Sequence, residues 1–119
     1  MKFLITGGMG FIGSYLVDYL LKQGNEITIL DNFSNSNKKS MKKIENNNLK
    51  IIEGDIRKIN DVLNSIKNQE IVIHLAAKIS VEESIKNPKE TFDVNVSGTK
   101  NIINACEKSN IKKLIVASS

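Results

Sequence analysis

Thr6-Gly7-Gly8-Met9-Gly10-Phe11-Ile12-Gly13-Ser14 is the stretch of sequence that decides the fold of this chain. It follows Lys2-Phe3-Leu4-Ile5, a short apolar run typical of a β-strand, and leads into Tyr15 to Gln23, where apolar residues recur with helical periodicity. The sequence therefore predicts a strand, a glycine turn and a helix in immediate succession.

Three glycines of this stretch, Gly7, Gly10 and Gly13, stand at the spacing G-x-x-G-x-x-G. The first permits a tight turn out of the strand, the second lets backbone N–H groups approach phosphate oxygens, and the third lets the helix lie against the strand. Aligned amides and the positive end of the helix then balance the phosphate charge. The pattern predicts a pyrophosphate site, although glycines also gather in purely structural turns.

A second predicted strand, Glu26 to Leu30, ends on Asp31. Asp31 follows Gly7 at an offset close to the roughly 20 residues at which an acidic side chain meets the hydroxyls of an adenosine ribose. Because this carboxylate would repel a 2′-phosphate, the sequence favours NAD over NADP. The lysines between positions 38 and 43 could offset the repulsion, but a lysine run is more often the solvated face of a helix. The competing interpretation is a structural turn with an aspartate at the surface.

Three further apolar runs predict strands that alternate with helical patterns. They are Leu49 to Glu53, Glu70 to Leu75 and Lys113 to Ser119. The run from Glu70 is almost wholly apolar, as in a strand buried on both faces, so we place it near the centre of the sheet. Right-handed crossovers then predict an α/β, Rossmann-like, doubly wound parallel sheet in the order 3-2-1-4-5, truncated after strand five. We expect residues 1–119 to form one NAD-binding domain.

Periodicity and capping residues predict the helices between these strands. The first helix carries an apolar stripe expected in the core, formed by Ile12, Leu16, Val17, Leu20 and Leu21. Asn60 and Asp61 are expected to cap a short helix, and a longer helix is expected from Asn87 to Ser109, with Pro88 at its first position. The residues expected to be buried along the longer helix are Phe92, Val96, Thr99, Ile102, Ile103 and Cys106.

Ligands of open α/β sheets bind where the strands reach their carboxyl ends, so the residues that follow each strand are candidate site residues. After the second strand comes a segment dense in turn formers: Asp31, Asn32, Phe33, Ser34, Asn35 and Ser36. After the third come Asp55, for an adenine amino group or for capping the next turn, and Ile56, for packing on the ring. The fourth strand leads into a segment of small residues that would let a ribose or ring approach the backbone: Leu75, Ala76, Ala77 and Lys78.

His74 is the single histidine and Cys106 the single cysteine of the chain. His74 lies inside the pattern of a strand with no Ser or Cys nearby in sequence, so we interpret it as a packed histidine rather than a catalytic base. Cys106 stands at core spacing on a helix and cannot form an internal disulfide, which agrees with a reducing compartment.

Composition narrows the classes of function. The chain has 119 residues, of which 40% are apolar and 25% charged, ordinary values for a globular domain. No apolar run approaches the ~18 residues of a membrane span, and the N-terminus lacks a signal-peptide pattern, so we expect a cytoplasmic protein without a membrane partner. The formal net charge of +4 comes from scattered lysines, and aromatic residues make up only 5%, so we expect no nucleic-acid partner.

Five segments closely resemble the extended short-chain dehydrogenase/reductase family, and within it the NAD-dependent epimerase/dehydratase group that acts on nucleotide sugars. They are Thr6 to Ser14, Leu30 to Ser34, Gly54 to Ile56, His74 to Ala77 and Asn95 to Thr99. Ile79 to Pro88 resembles in particular the branch that epimerises UDP-hexoses at C4. The resemblance runs over all 119 residues but over only the cofactor half of such an enzyme, so we expect the C-terminal substrate-binding part to be absent from these residues.

The resemblance implies a role for each candidate residue. The backbone of Phe11 and Ile12 would contact the pyrophosphate, Asp31 through Ser36 the adenosine ribose, and Asp55 with Ile56 the adenine. Leu75 through Lys78 would line the nicotinamide ribose, and Val94 would contact the cofactor from its helix. Ser119 falls where the family keeps a catalytic Ser or Thr that hydrogen-bonds the sugar hydroxyl being oxidised. No metal is implied.

The implied activity is an NAD-dependent isomerase that interconverts UDP-glucose and UDP-galactose by transient hydride transfer to bound NAD, as a homodimer in its full-length form. The family's Tyr-x-x-x-Lys pair, whose tyrosine removes the hydroxyl proton, is absent from these residues. We therefore expect the 119 residues alone to bind NAD without turnover. The alternatives are a dehydratase or reductase of the same family, a non-catalytic NAD-binding sensor and, less in keeping with the matched segments, an S-adenosylmethionine methyltransferase.

Overall fold

A computed structural model of the chain describes residues 1–33, 46–76 and 81–117, without the side chains of residues 81–83. The elements in chain order are β1 (Lys2–Thr6), α1 (Phe11–Lys22), β2 (Glu26–Asp31), β3 (Leu49–Glu53), α2 (Ile59–Ile66), β4 (Ile71–His74), α3 (Val81–Lys86), α4 (Pro88–Phe92), a π-helical segment (Asp93–Ser97), α5 (Gly98–Lys108) and β5 (Lys113–Val116).

The five strands form one parallel sheet in the order β3-β2-β1-β4-β5, which confirms the predicted topology. The register brings the carboxyl ends of the three inner strands level, because Thr6 of β1 pairs with Leu30 of β2 on one side and with His74 of β4 on the other. The glycine turn, the end of β2 and the end of β4 therefore meet at one edge of the sheet.

Alternate residues of the strands supply two apolar layers, one on each face of the sheet. The layer under α1 contains Phe3, Ile5, Met9, Val17, Ile27, Ile29 and Ile73. The layer under α2 and α5 contains Leu4, Leu30, Ile56, Val62, Ile66, Val72, Val94, Ile102 and Ala105. Each large aliphatic side chain buried in this way contributes roughly 1.5–3 kcal/mol, so the inner strands are held from both sides.

The apolar stripe predicted for α1 is confirmed in four of its five members, and Ile12 is the exception. Val17 is buried, and Leu16, Leu20 and Leu21 pack against the same layer. Ile12 is 72% exposed. It lies in the first turn of the helix, at the carboxyl edge, where the sheet beneath the helix ends.

The capping prediction for α2 was wrong. The helix begins at Ile59 after Lys58, with no side-chain cap. Asp61 lies inside the helix, and its Oδ2 instead accepts a 2.9 Å hydrogen bond from the backbone N–H of Asp55. The Asp61 carboxylate thus fixes the loop that leaves β3. The capping pattern in the sequence does not predict this bond to Asp55.

The long helix predicted from Asn87 to Ser109 is divided by the π-helical segment, and a further short helix, α3, precedes it. Pro88 does occupy the first turn of α4, but Asn87 makes no side-chain cap hydrogen bond. Because a π turn is wider than an α turn, it shifts the helical phase between α4 and α5.

The buried face of this helical run also differs from the prediction. Ile102 is buried as predicted, and Thr99 and Cys106 are partly buried. Phe92, Val96 and Ile103 are instead 58%, 36% and 40% exposed, whereas Val94, Gly98 and Ala105 are buried. Both sets recur at helical spacing, but the second carries the smaller side chains. A Cβ at Gly98 would lie 2.5 Å from Cδ1 of Ile56, in the loop after β3, so the helix backbone packs too closely against that side chain for a larger residue at position 98.

Ile102 and Ile103 give a matched test of this face. We expect Ile102→Ala to lower the free energy of unfolding by about 2–5 kcal/mol, because it leaves a cavity in a fully buried site. Ile103→Ala, on the exposed side of the same helix, should cost less than about 1 kcal/mol. Urea denaturation followed by circular dichroism measures both values, and equal losses would contradict the assigned face.

Candidate functional site

The glycine turn begins with Gly7, at a position where a side chain does not fit. Gly7 has φ +72°, a left-handed conformation, and its N–H donates to the carbonyl of Leu30 at 2.9 Å. A Cβ at Gly7 would lie 2.8 Å from the backbone nitrogen of Ala76. The turn out of β1 is therefore in backbone contact with the segment that follows β4. The positive φ of Gly7 agrees with the tight turn predicted for the first glycine.

Gly13 and Gly8 hold α1 close to the turn. A Cβ at Gly13 would lie 2.5 Å from the carbonyl oxygen of Gly7, which confirms the predicted packing role. Gly8 was not singled out from the sequence, yet a Cβ there would lie 2.9 Å from the side chain of Ile29 on β2. The need for glycine at position 8 becomes evident only from the position of β2. In the sequence, the adjacent pair Gly7-Gly8 was the one indication of it.

Gly10 differs from the other glycines of the turn, because a Cβ there would meet one atom only among the described residues, the carbonyl oxygen of Gly7 at 3.3 Å. Gly10 is the N-cap of α1 and offers no side-chain acceptor, and the first turn contains no acidic residue. The side chains of Phe11 and Ile12 are turned to solvent. The positive end of the helix is thus left to an external anion, as a pyrophosphate site requires.

Asp31 joins the glycine turn to the end of β2. Its Oδ2 accepts a 3.0 Å hydrogen bond from the N–H of Met9, and its Oδ1 accepts a 2.8 Å bond from the N–H of Phe33, which has φ +61°. The residue is only 9% exposed. An ionised carboxylate has about four acceptor positions, so it can still receive two ribose hydroxyls. Asn32 is exposed beside it, and Ser34, Asn35 and Ser36 lie outside the described residues.

The predicted adenine side of the site is only partly as expected. The Asp55 carboxylate accepts from the backbone N–H of Arg57 at 2.9 Å and from its guanidinium at 2.6 Å, so it caps its own turn. Hydrogen bonding by Arg57 lowers the pKa of Asp55 below its usual value. Ile56 and Val94 are 6% and 5% exposed, in the layer under α5. The prediction that the Ile56 side chain packs on a ring is therefore wrong for this geometry, and contact by either residue is left to the backbone.

The ends of β1 and β4 are tied together by buried hydroxyl groups. Oγ1 of Thr6 lies 2.6 Å from Nδ1 of His74 and accepts from the N–H groups of Leu75 and Ala76 at 3.1 and 3.2 Å. Nε2 of His74 lies 2.9 Å from Oγ1 of Thr99, which donates to the carbonyl of Asn95 at 2.7 Å. These bonds fix the backbone of Leu75 and Ala76, the described part of the predicted nicotinamide-ribose wall.

His74 is the packed and hydrogen-bonded histidine that the sequence predicted. It is 4% exposed, and burial lowers its pKa from 6.5 to about 4. The ring is therefore neutral at physiological pH.

The remaining candidates are not described. Ala77, Lys78 and Ser119 lie outside the described residues. Within the described ranges, no three His, Cys, Asp or Glu side chains come together as metal ligands, and no helix is long and apolar enough to cross a membrane. A shallow polar depression of about 250 Å³ lies at the opposite edge of the sheet, beside Lys2, Glu26 and Gln69, and takes no part in this site.

The histidine makes folding stability depend on pH. The pKa of His74 is 6.5 in the unfolded chain and about 4 in the folded chain, so between these pH values only the unfolded chain binds the proton. The free energy of unfolding is therefore full above pH 6.5 and falls as the pH drops toward 4. The loss should approach about 3 kcal/mol, measured by urea denaturation at a series of pH values. His74→Gln should remove the slope in this window, and an unchanged slope would contradict the assignment.

Comparison with known proteins agrees with the geometry of the glycine turn, Asp31 and the β4 edge. Residues 3–119 match the model of the NAD dependent epimerase/dehydratase family. A UDP-glucose 4-epimerase of Klebsiella pneumoniae is 40% identical over 125 residues, covering 100% of this chain and 89% of that protein. A crystal structure of Thermus thermophilus UDP-glucose 4-epimerase in complex with NAD superposes with a TM-score of 0.89 at 33% identity, covering 100% of this chain and 38% of that one.

The chain spans little more than a third of the length of several relatives. It covers 37% of a Methanocaldococcus jannaschii protein that is 42% identical over 117 residues, and whose assignment as a UDP-glucose 4-epimerase is itself provisional. Related epimerases act on UDP-sugars, as their names state. The family match extends over nearly every residue and includes all the glycines of the turn. This chain belongs to the NAD-dependent epimerase/dehydratase family.

Proposed function

We propose that the chain is the NAD-binding portion of an enzyme that epimerises a UDP-hexose at C4, interconverting UDP-glucose and UDP-galactose. The observation that carries the proposal is the junction of three features at one sheet edge: the uncapped N-terminus of α1, the Asp31 carboxylate and the backbone of Leu75 and Ala76. Asp31 would accept the hydroxyls of the adenosine ribose, the helix N-terminus would hold the pyrophosphate, and the Leu75–Ala76 backbone would line the nicotinamide side, which is the order in which a dinucleotide would cross the edge.

The described residues fit the cofactor. The N–H groups of the first turn of α1 would hold the pyrophosphate, and Gly10 would keep that approach free of a side chain. The Asp31 carboxylate would accept both hydroxyls of the adenosine ribose, while its bonds to Met9 and Phe33 keep it in place. NAD held there would supply the hydride acceptor for oxidation of the sugar hydroxyl and the hydride donor for reduction of the resulting ketone.

The sugar half of the mechanism lies mostly beyond these residues. As part of the proposal, Ser119 hydrogen-bonds the hydroxyl that is oxidised, and the proton acceptor is a Tyr-x-x-x-Lys pair that the 119 residues do not contain. The proposal also includes a cytoplasmic location and a homodimer of the whole enzyme. A dehydratase of the same family would use the same cofactor edge, so assay of a longer chain with UDP-glucose and with dTDP-glucose separates the two activities.

Gly10→Ala tests the pyrophosphate cradle without disturbing the fold. The new Cβ meets only one backbone oxygen, so the free energy of unfolding should fall by about 1 kcal/mol or less. The affinity for NAD should fall roughly tenfold or more, because the methyl group occupies the approach of the phosphate. Isothermal titration calorimetry of the wild-type chain and the variant measures both dissociation constants.

Gly24→Ala is the matched control for that experiment. Gly24 has φ +85° with open space around it, so alanine should cost about 1 kcal/mol of stability through backbone strain alone. It lies after α1, at the opposite end of the helix from the turn, and NAD affinity should not change. A wild-type chain that folds but binds no NAD would refute the proposed function, as would equal affinities for wild type and Gly10→Ala.

Asp31→Asn tests the ribose diol acceptor. The amide keeps one acceptor oxygen but loses the charge, so affinity for NAD should fall and the preference for NAD over NADP should narrow by roughly tenfold. Asp18→Asn makes the same charge change on the exposed side of α1, where Asp18 pairs with Lys22 at 2.9 Å, and should leave the preference unchanged. An unaltered NAD to NADP ratio in Asp31→Asn would contradict the role.

A further inference from the structure

One arrangement of protons satisfies all the buried hydrogen bonds described at the end of β4. Oγ1 of Thr6 accepts from the N–H groups of Leu75 and Ala76 at 3.1 and 3.2 Å. The N–H of Leu75 is shared, because it also donates to the backbone carbonyl of Thr6 at 3.0 Å. The Thr6 hydroxyl thus accepts from these N–H groups and has one proton of its own to donate. Its acceptor is Nδ1 of His74, at 2.6 Å. Nδ1 therefore carries no proton.

The other half of the chain of hydrogen bonds follows from the same count. A neutral imidazole whose Nδ1 accepts must carry its proton on Nε2, and Nε2 lies 2.9 Å from Oγ1 of Thr99. The Thr99 hydroxyl passes its own proton to the carbonyl of Asn95 at 2.7 Å. The hydrogen bonds thus run in one direction. Thr6 donates to the His74 ring, the ring donates to Thr99, and Thr99 donates to Asn95 in the π-helical segment.

We propose that His74 is a positioning residue for the dinucleotide site, which as the neutral Nε2–H tautomer orients the Thr6 hydroxyl and thereby holds the Leu75–Ala76 backbone against Gly7. The inference rests on the proposed NAD-binding function. The N–H of Leu75 bonds both the backbone carbonyl and the hydroxyl of Thr6, whereas the N–H of Ala76 bonds the hydroxyl, so the hydroxyl holds the wall chiefly at Ala76. The close approach of Ala76 to Gly7 then leaves the wall little freedom to move.

A second proton on the ring is incompatible with this arrangement. Nδ1–H would point at an oxygen that already accepts two N–H groups, and the Thr6 proton would lose its acceptor. The groups that face the ring are the Thr6 hydroxyl from β1, the Thr99 hydroxyl from α5 and, beside it in register, Val116 of β5. Among the described residues no charged group contributes to the low pKa of His74, which burial explains.

The test compares NAD with ADP, because ADP reaches the glycine turn and Asp31 but not the wall. Thr6→Val keeps the shape and removes the hydroxyl, so NAD affinity should fall roughly tenfold while ADP affinity changes much less. Thr6→Ser restores the hydroxyl and should recover most of the NAD affinity. Calorimetric titrations of the 119-residue chain with each nucleotide measure the ratio of the two affinities. A folded Thr6→Val chain with the wild-type ratio would overturn the proposal.

Thr28→Val is the matched control. Thr28 is a buried threonine of β2 whose Oγ1 accepts from Gln69 at 2.9 Å, nearer the amino ends of the strands. Its replacement should lower stability without changing the NAD to ADP ratio. A wild-type chain that binds neither nucleotide would refute the proposed function itself, whereas normal NAD binding with an unchanged ratio in Thr6→Val would refute only the positioning role.

The tautomer can be measured on the wild-type chain, so the proposal stays falsifiable if Thr6→Val does not fold. In a long-range ¹H–¹⁵N spectrum the single histidine should show the pattern of an unprotonated Nδ1 and a protonated Nε2 at neutral pH. The NAD to ADP ratio should stay constant as the pH falls from about 8 to 6 and should drop as the pH approaches about 4. The Nδ1–H tautomer, or a ratio that ignores acidification, would overturn the proposal.

Discussion

The rest of the site depends on one steric constraint, the contact of backbone with backbone at the carboxyl edge of the sheet. A Cβ at Gly7 would lie 2.8 Å from the nitrogen of Ala76, and a Cβ at Gly13 would lie 2.5 Å from the carbonyl oxygen of Gly7. Three chain segments therefore meet without side chains between them. That approach places the N-terminus of α1, with its outward N–H groups, directly over the sheet edge, and it leaves no space for a different course of the turn.

Polar groups at this edge stabilise the contact that the glycines permit. Asp31 bonds the glycine turn to the end of β2, and Thr6 bonds the end of β1 to the segment after β4. Each buried N–H left without a partner would cost about 1–3 kcal/mol, so these side chains keep the edge from opening. The site is thus largely formed before a ligand arrives, which reduces the entropy lost on binding.

Those features that are local in sequence could be predicted, and those that depend on a distant element could not. The spacing of Gly7, Gly10 and Gly13 and the position of Asp31 after an apolar strand depend only on neighbouring residues, and the strand order follows from the alternation of elements. The need for glycine at position 8 depends on Ile29, a side chain of the adjacent strand.

The buried face of the last long helix was predicted only in part, for a related reason. Two sets of residues recur there at helical spacing, and the close packing of Gly98 against Ile56, in the loop after β3, favours the set with the smaller side chains. Ile56 was assigned to a ligand because it follows Asp55 at a strand end, but that close approach draws its side chain into the core. A pattern of apolar residues predicts that a side chain is buried, but it does not predict which part of the protein covers that side chain.

The preference for NAD over NADP that we expect would follow from how Asp31 is held. A 2′-phosphate would need the carboxylate to turn aside, but both of its oxygens already accept backbone N–H groups, from Met9 and Phe33. Turning would leave two donors unpaired at a site that is only 9% exposed. Charge repulsion and the loss of those bonds oppose the phosphate together, so the discrimination is part of the scaffold. A change of cofactor would therefore require a new partner for the Met9 N–H as well as removal of the carboxylate, because one side chain supports the turn and selects the ribose.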